Sequence, residues 1–366
     1  DGRLLTQDTF SETILYESLN LAGLVDWSQD ALSVTIPRLS LINDEVALNL
    51  ATQYTAPHED KGQPTQAHLD LYAEVKGPTQ GKIGKYLPRH LISDNTYDYL
   101  ISAIQDGRGE LTRVVLSGEP AQMPYSDVED TSQFGRFIVD SDIWDAKFQF
   151  SPEWPTLAQL NANLLVDNSL MVISAQQGQL GHLTLDHDVK AKIPLDEKNT
   201  TLHLGITPKS LALADFHQLI EISPLKGLIG DVFDFVRLDG LCQAQVDIKI
   251  PLGDATGEVI VAGQVKTASA SLSMPSLNLN FLNTSALVSF HNDKFEVAAD
   301  SASLFGLPVS FQVKGGDLGE GYEIDADLIA NWSKDQIDQL YPLPINAHFD
   351  GETTTSVKVK VNIEQD

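Results

Sequence analysis

The side chains able to do chemistry are few and stand apart from one another. The one thiol, Cys242, lies on the apolar side of the alternating run CQAQVDIKIPL, where a cysteine serves as a small buried hydrophobe rather than a reactive group. His182 and His187 flank the extended run GHLTLDH. Five residues apart on a strand, they point to opposite faces and do not converge on a metal. The pairs Asp140/Asp142, Asp186/Asp188 and Asp325/Asp327 each put two carboxylates on one face of a strand, an arrangement that suits calcium or general acid–base work. The solvated outer face of a one-faced sheet would present the same pairs, and that single explanation covers all three. GGDLGEG, residues 315–321, has the glycine content of a phosphate loop but opens no helix and lies between two strand patterns, as a hairpin connection does. There is no GxxxxGK[ST], GxSxG or HExxH, and the sequons NTT, NWS and NTS are short enough to arise by chance. The residues therefore point away from an enzyme and imply no cofactor and no metal. A carbohydrate-processing site on one of the acidic pairs is the enzymatic alternative.

Charge narrows the partners. Lys and Arg number 24 against 51 Asp and Glu, a formal charge of −27 in 366 residues. Such a surface repels a phosphate backbone, so nucleic acid is excluded as a partner, and it disfavours broad contact with an anionic membrane. Any dealings with lipid must run through a shielded apolar surface. No stretch approaches 18 consecutive apolar residues, and the opening DGRLLTQDTF has neither the basic nor the apolar region of a secretion signal.

The elements that must position these residues are strands. In the run from Cys242 to Leu252 apolar side chains fall on one side and Gln243, Gln245, Asp247 and Lys249 on the other, over about 35 Å of extended chain. The same two-residue period recurs at 32–36, 46–50, 69–75, 183–193, 202–206, 277–281, 307–313, 322–330 and 357–363, with turn signals such as DEKNT, HND and DGE between runs. Sequential antiparallel pairing follows, and the fold class is mainly β, a long twisted antiparallel meander with a few short helices. DNTYDYLISAIQDG predicts a helix from Asp94 with Tyr97, Leu100, Ile101 and Ile104 on one face and Gly107 at its C-terminal cap. Shorter helices are expected near 213–236 and 332–340. The chain reads as one continuous unit over 1–366, with leading strands in 1–84, a helix plus strands in 85–182, and further strands in 183–366.

These helices are too short to cover so many one-faced strands. The surplus apolar face can be met by a second sheet in a sandwich, by closure into a barrel, or by a curved open sheet whose concave side holds an apolar ligand. The inward-facing alternates expected to line such a concavity are Val246, Ile248, Ile250, Leu279, Phe281, Val309, Phe311, Ile324, Leu328, Val359 and Val361.

Several motifs in the middle of the chain carry a family resemblance. They are YLP at Tyr86 to Pro88, the helix ending in Asp106-Gly107-Arg108, SGEP followed by MPY between Ser117 and Tyr125, and WP at Trp154 and Pro155 with a strand pair after it. With ISPLKGLIGDVFDFVRLDGLCQAQVDIKIPL they cover about a third of the chain, which resembles the YhdP branch of the AsmA-like proteins of Gram-negative bacteria. The resemblance implies a β half-pipe, or β-taco, anchored in the inner membrane and reaching through the periplasm towards the outer membrane. It also implies glycerophospholipids carried along an apolar lining, and inner- and outer-membrane proteins as partners at the ends. The membrane anchor lies outside this sequence, so the resemblance implies an internal periplasmic segment. A closed β-sandwich scaffold of the cell envelope is the alternative.

Overall fold

The computed structural model describes residues 2–4, 12–57, 66–77, 83–86, 94–126, 130–186, 189–195, 200–224, 226–227, 236–252, 257–317, 322–336 and 352–363. A two-stranded piece, Gly2–Leu4 with Ile14–Tyr16, precedes one antiparallel ladder that runs from Ser18–Trp27 to Glu352–Ile363. The long strands pair in chain order, the meander expected from the turn signals, with Thr201–Ile206 pairing Leu241–Pro251 across the intervening α2 segment. Of twenty strands in the ladder, Leu183–Asp186, Leu211–Ala212 and Arg237–Asp239 continue the line of a neighbour. Seventeen rungs remain, which at about 4.8 Å apiece make a sheet about 80 Å from first to last.

The sheet is open. Ser18–Trp27 pairs with Ala31–Ile42 and Glu352–Ile363 with Tyr322–Ser333, and no register joins the two end strands among the described residues. A sandwich would need a second sheet packed on the first, and the ladder supplies one continuous layer. Register shifts recur within the ladder, at Ala22/Leu24, Ile36/Leu39, Gly109/Thr112, Ile143/Ala146, Thr267/Ala270 and Ala299/Ala302. Bulges bend a strand and sharpen its twist, which lets a single layer curl about its own apolar face into a half-pipe.

Successive turns alternate between the two margins of the sheet. Helix α1 (Asp94–Ala103), helix α2 (Leu213–Glu221), the 149–156 loop with Trp154 and the helical turn at 334–336 all leave from one margin. The opposite margin carries the 28–30, 168–169 and 292–293 turns. Among the described residues, one side of the half-pipe thus supplies both helices, while the 119–134 segment with Tyr125 closes on the sheet from the other.

Helix α1 ends earlier than the sequence predicts. It stops at Ala103, and Ile104 opens the strand Ile104–Gly118. Pairing of that strand with both neighbours overrides local helix preference, with Ile104 opposite Phe148 and Val114 opposite both Ala73 and Val139. Tyr97 and Leu100 are buried as expected, whereas Ile101 is exposed. Gly107 is no cap. It sits in the strand at φ 142°, where a Cβ would come within 3.0 Å of the Ala146 side chain. Helix α2 covers only the first part of the expected 213–236, and the expected third helix is described only at 334–336.

The two faces sort as the alternation requires. The convex face carries cross-strand ion pairs: Lys314 Nζ to Glu296 at 2.9 Å, Lys360 Nζ to Glu323 at 2.6 Å and Lys358 Nζ to Asp327 at 3.6 Å. On the concave face two glycines are roofed by aromatic rings from the adjacent strand. Gly263 pairs with Phe290 and Gly315 with Phe295, and a Cβ on Gly263 would lie 2.7 Å from the Phe290 ring and 2.4 Å from the Gln245 carbonyl oxygen. Gly263→Ala is expected to destabilise by about 1–3 kcal/mol because the second clash is with backbone. Gly205→Ala, whose Cβ would meet nothing closer than 3.7 Å, is expected to be neutral or mildly stabilising. Denaturant midpoints of the two variants check the contrast.

Candidate functional site

Residues directly opposite each other in an antiparallel ladder share a face, so registers can be chained from rung to rung. One such row runs Leu19, Leu41, Leu48, Val75, Thr112, Ser141, Leu164, Ile173, Ala191, Leu204, Ile248, Val261 across twelve rungs. A second runs Ala244, Val265, Val288, Val297, Val313, Ala326, Val359 across the last seven. Together they form apolar tracks along the axis of the half-pipe. Thr112 and Ser141 are the polar step, and their hydroxyls hydrogen-bond each other at 2.7 Å, so neither presents an unpaired donor to the lining.

The sequence-predicted lining residues fall on this face. Val246 pairs with Ile206 and Gly263, Ile248 with Leu204, Ile250 with Leu202, Phe311 with Leu328, and Ile324 with Val361. Leu279 and Phe281 face Met274 and Leu272, and Val309 faces Ala302. Val361 is placed by backbone register. What differs between them is cover. Ile248 is 1 % exposed and Ile250, Phe281, Val309 and Phe311 are also buried, whereas Val359 is 48 % and its neighbour Val357 46 % exposed. Val246, Leu279, Ile324 and Leu328 are half-buried.

Cover is greatest in the middle. There Leu100 and Ala103 of α1, Phe150, Trp154, and Leu213, Leu219 and Ile220 of α2 join the sheet residues in one large core. The C-terminal rungs hold a smaller cluster about the Phe281 and Phe311 rings, 5.1 Å apart, and the N-terminal rungs one about Ile14, Leu41 and Val46. Chain leaving one margin thus covers the central rungs. At the N-terminal end Leu21 is 60 % exposed, and Val25 and Trp27 are also exposed.

A purely apolar cavity of about 30 Å³ remains beneath α2, lined by Phe216 and Leu219 of the helix with Leu180, Leu183, Ile206, Val246, Ile248 and Phe290 among others. By volume it holds a water or two but offers them no polar partner. Cys242 belongs to the same core, and burial pushes its thiol above the usual range, which keeps it protonated and inert.

The charged groups weighed for catalysis are dispersed. Asn163 Nδ2 donates to Asp140 at 2.8 Å and to Asp142 at 3.3 Å, an amide bridging two convex-face carboxylates. Asp325 lies opposite Lys314 and Lys360. His182 and Asp186 are exposed on the surface, and His187, Asp188 and residues 318–321 lie outside the described residues. Among the described residues no three potential ligands cluster around a metal position.

The resembling motifs prove to be clasps. The Tyr125 ring lies over Gly118 and Gly135, and its buried hydroxyl donates to the Glu119 carbonyl at 3.2 Å. Tyr86 donates to Glu45 Oε2 at 2.7 Å, beside the Lys85–Glu45 ion pair at 3.0 Å, and burial with that carboxylate pushes its phenol up. Trp154 packs on Phe150 in the main core. Sequence reasoning missed the strands at 104–118, 135–148, 157–167 and 170–180 as part of the lining. Runs such as LLV at 164–166 and LMVI at 170–173 are apolar on both faces and hide the two-residue period.

An open, single-layer half-pipe with apolar tracks along its axis and a charged exterior defines a class of extended trough, with a surface continuous along its length rather than one bounded pocket. The chain belongs to the YhdP family, whose model, described as YhdP protein, matches residues 1–366. A curated relative, the intermembrane phospholipid transporter YhdP of Escherichia coli (strain K12), is 26 % identical over 297 residues, covering 81 % of this chain and 22 % of the relative. The chain thus spans about a fifth of that relative's length. No solved structure matches it.

If the clasps carry the fold, Tyr125→Ala will cost about 3–5 kcal/mol by removing a fully packed ring. Asp327→Asn, on the convex face, will stay within about 0.5 kcal/mol of the parent. Unfolding midpoints in urea check both.

Proposed function

We propose that this chain is a segment of a periplasmic bridge that conducts glycerophospholipids between the inner and outer membranes, with acyl chains in the trough and head groups near its open seam. The reading makes the chain a carrier of lipid rather than an enzyme. The observation that carries it is the pair of apolar tracks, which cross every rung from Leu19 to Val359 with one self-satisfied hydroxyl pair among them. The relative's description as an intermembrane phospholipid transporter supports it. No helix among the described residues is long and apolar enough to cross a membrane, which fits a span lying between two membranes. Proteins of those membranes would meet the ends of the longer bridge.

Free-energy scale makes such a trough useful. At about 0.8 kcal/mol per methylene, moving a chain of around 16 carbons into water costs on the order of 12 kcal/mol. A lining of aliphatic side chains removes most of that cost while offering no point strong enough to arrest a sliding lipid. Aromatic residues make up only 7 % of the sequence, in keeping with a smooth aliphatic surface. The lining residues assigned from sequence are part of this proposal, with the exposed Val359 and half-buried Val246, Ile324 and Leu328 the most direct contacts.

The test must use a position where a substitution leaves the fold intact, which excludes the buried Ile248. A photo-crosslinking amino acid at Val359 or Leu39, on the concave face, is expected to capture phospholipid from phosphatidylethanolamine vesicles, read by mass spectrometry of the adduct. The same group at Gln312 or Asp327, on the convex face, should give only background. Equal capture on the two faces would contradict the proposal.

A further inference from the structure

Helix α2 occupies the trough where acyl chains would lie. It leaves the covering margin after the short strand Leu211–Ala212 and turns its apolar side onto the sheet, with Leu213, Leu219 and Ile220 buried and Phe216 packed against the core. The second row passes under it at the buried Ala244 and runs on to Val359, 48 % exposed on the last rung. Between helix and sheet a small apolar cavity is left, and the sheet residue Ile248 beneath it is only 1 % exposed. A lipid following the track is therefore stopped at these rungs while the helix is seated.

The helix is built to leave. At nine residues it is short of the length at which a helix holds its shape alone in water, and its N-terminal residue Ala212 offers no side-chain cap. Its seat is made of aliphatic and aromatic contacts, which an acyl chain reproduces group for group because hydrophobic contact is non-directional. Glu221 pairs with Lys226 at 2.8 Å, a tie to the residues just after the segment and not to the sheet. Polar cover would have to be replaced by lipid at a loss, whereas apolar cover can be exchanged for lipid at little cost.

We propose that residues 214–224 form a lid over an acyl-chain site on the central rungs, hinged where Leu211 to Leu213 stay hydrogen-bonded to the 240–242 backbone, and that α2 is its occupant in the empty state, displaced when a lipid chain enters. The inference rests on the lipid-conducting reading above and adds to it a gated station at a fixed place. Displacement is an exchange of apolar partners, so it needs no bound nucleotide or metal.

The test combines crosslinking with hydrogen exchange on the whole chain, with and without phosphatidylethanolamine vesicles. Photo-crosslinkers at Val246, under the lid, and at Val359, on the open flank, report where lipid sits. Amide exchange over 214–221 reports the helix. The expected result is lipid capture at both positions together with exchange about tenfold faster or more in 214–221 on loading, while the sheet amides of 244–250 keep their protection. Leu219→Ala, which thins the lid without touching the sheet, should raise capture at Val246 and leave capture at Val359 unchanged. Capture at Val359 with none at Val246 would make α2 a fixed plug and overturn the lid while leaving lipid binding intact. Capture at both with helix exchange unchanged would also overturn it, since lipid would then pass beside a seated helix. Capture at neither would overturn the lid and the lipid-conducting reading together.

Discussion

The structure depends on one constraint: a single-layer sheet with one apolar face must have that face covered, and a sheet seventeen rungs long cannot cover it by pairing alone. Every other feature can be read as a response to that surplus. Bulges curl the layer so that the apolar face turns towards itself. Helices and loops from one margin are laid over the central rungs. What they do not reach stays open, and it stays open at the two ends, where Leu21 and Val359 are exposed on strands that have a pairing partner on one side only.

The division of labour between the faces follows from the same constraint. The cross-strand ion pairs of Lys314, Lys358 and Lys360 lie on the convex side in solvent. Such pairs contribute little stability individually. They place charge on the outer face of the sheet while the two tracks carry none. On the concave side the hydroxyls of Thr112 and Ser141 satisfy each other, and that of Thr267 donates to the Leu241 carbonyl. It tolerates glycine where a ring from the next strand fills the space, as Phe290 does over Gly263 and Phe295 over Gly315. The glycine pair that opens GGDLGEG is therefore explained by packing.

Much of this was legible in the sequence where the two-residue period is clean. The run from Cys242 to Pro251 shows both its strand and its buried face, and Asp325 and Asp327 read as outer-face residues because their immediate neighbours Ile324, Ala326 and Leu328 are apolar and point the other way. Legibility failed where both faces are greasy, as in 157–180, since a strand beneath helices and beside other strands no longer alternates. It failed again at Ile104, where helix-favouring local sequence yields to pairing with Phe148. The covered state of Ile248 could not be read at all, because it depends on where α2 lands, and nothing in an alternating strand records which distant segment will sit on it. The resembling motifs around Tyr86, Tyr125 and Trp154 identified the family, yet their physical role is to fasten margins rather than to touch a ligand.

The central claim is that acyl chains complete the apolar cover that the polypeptide leaves unfinished. Native mass spectrometry of the chain purified from a Gram-negative periplasm tests it most directly. The account predicts phospholipid bound to the protein, released by organic extraction and depleted when Val357 and Val359 are both replaced by Asp. A protein that emerges free of lipid, with those two substitutions changing nothing, would contradict it.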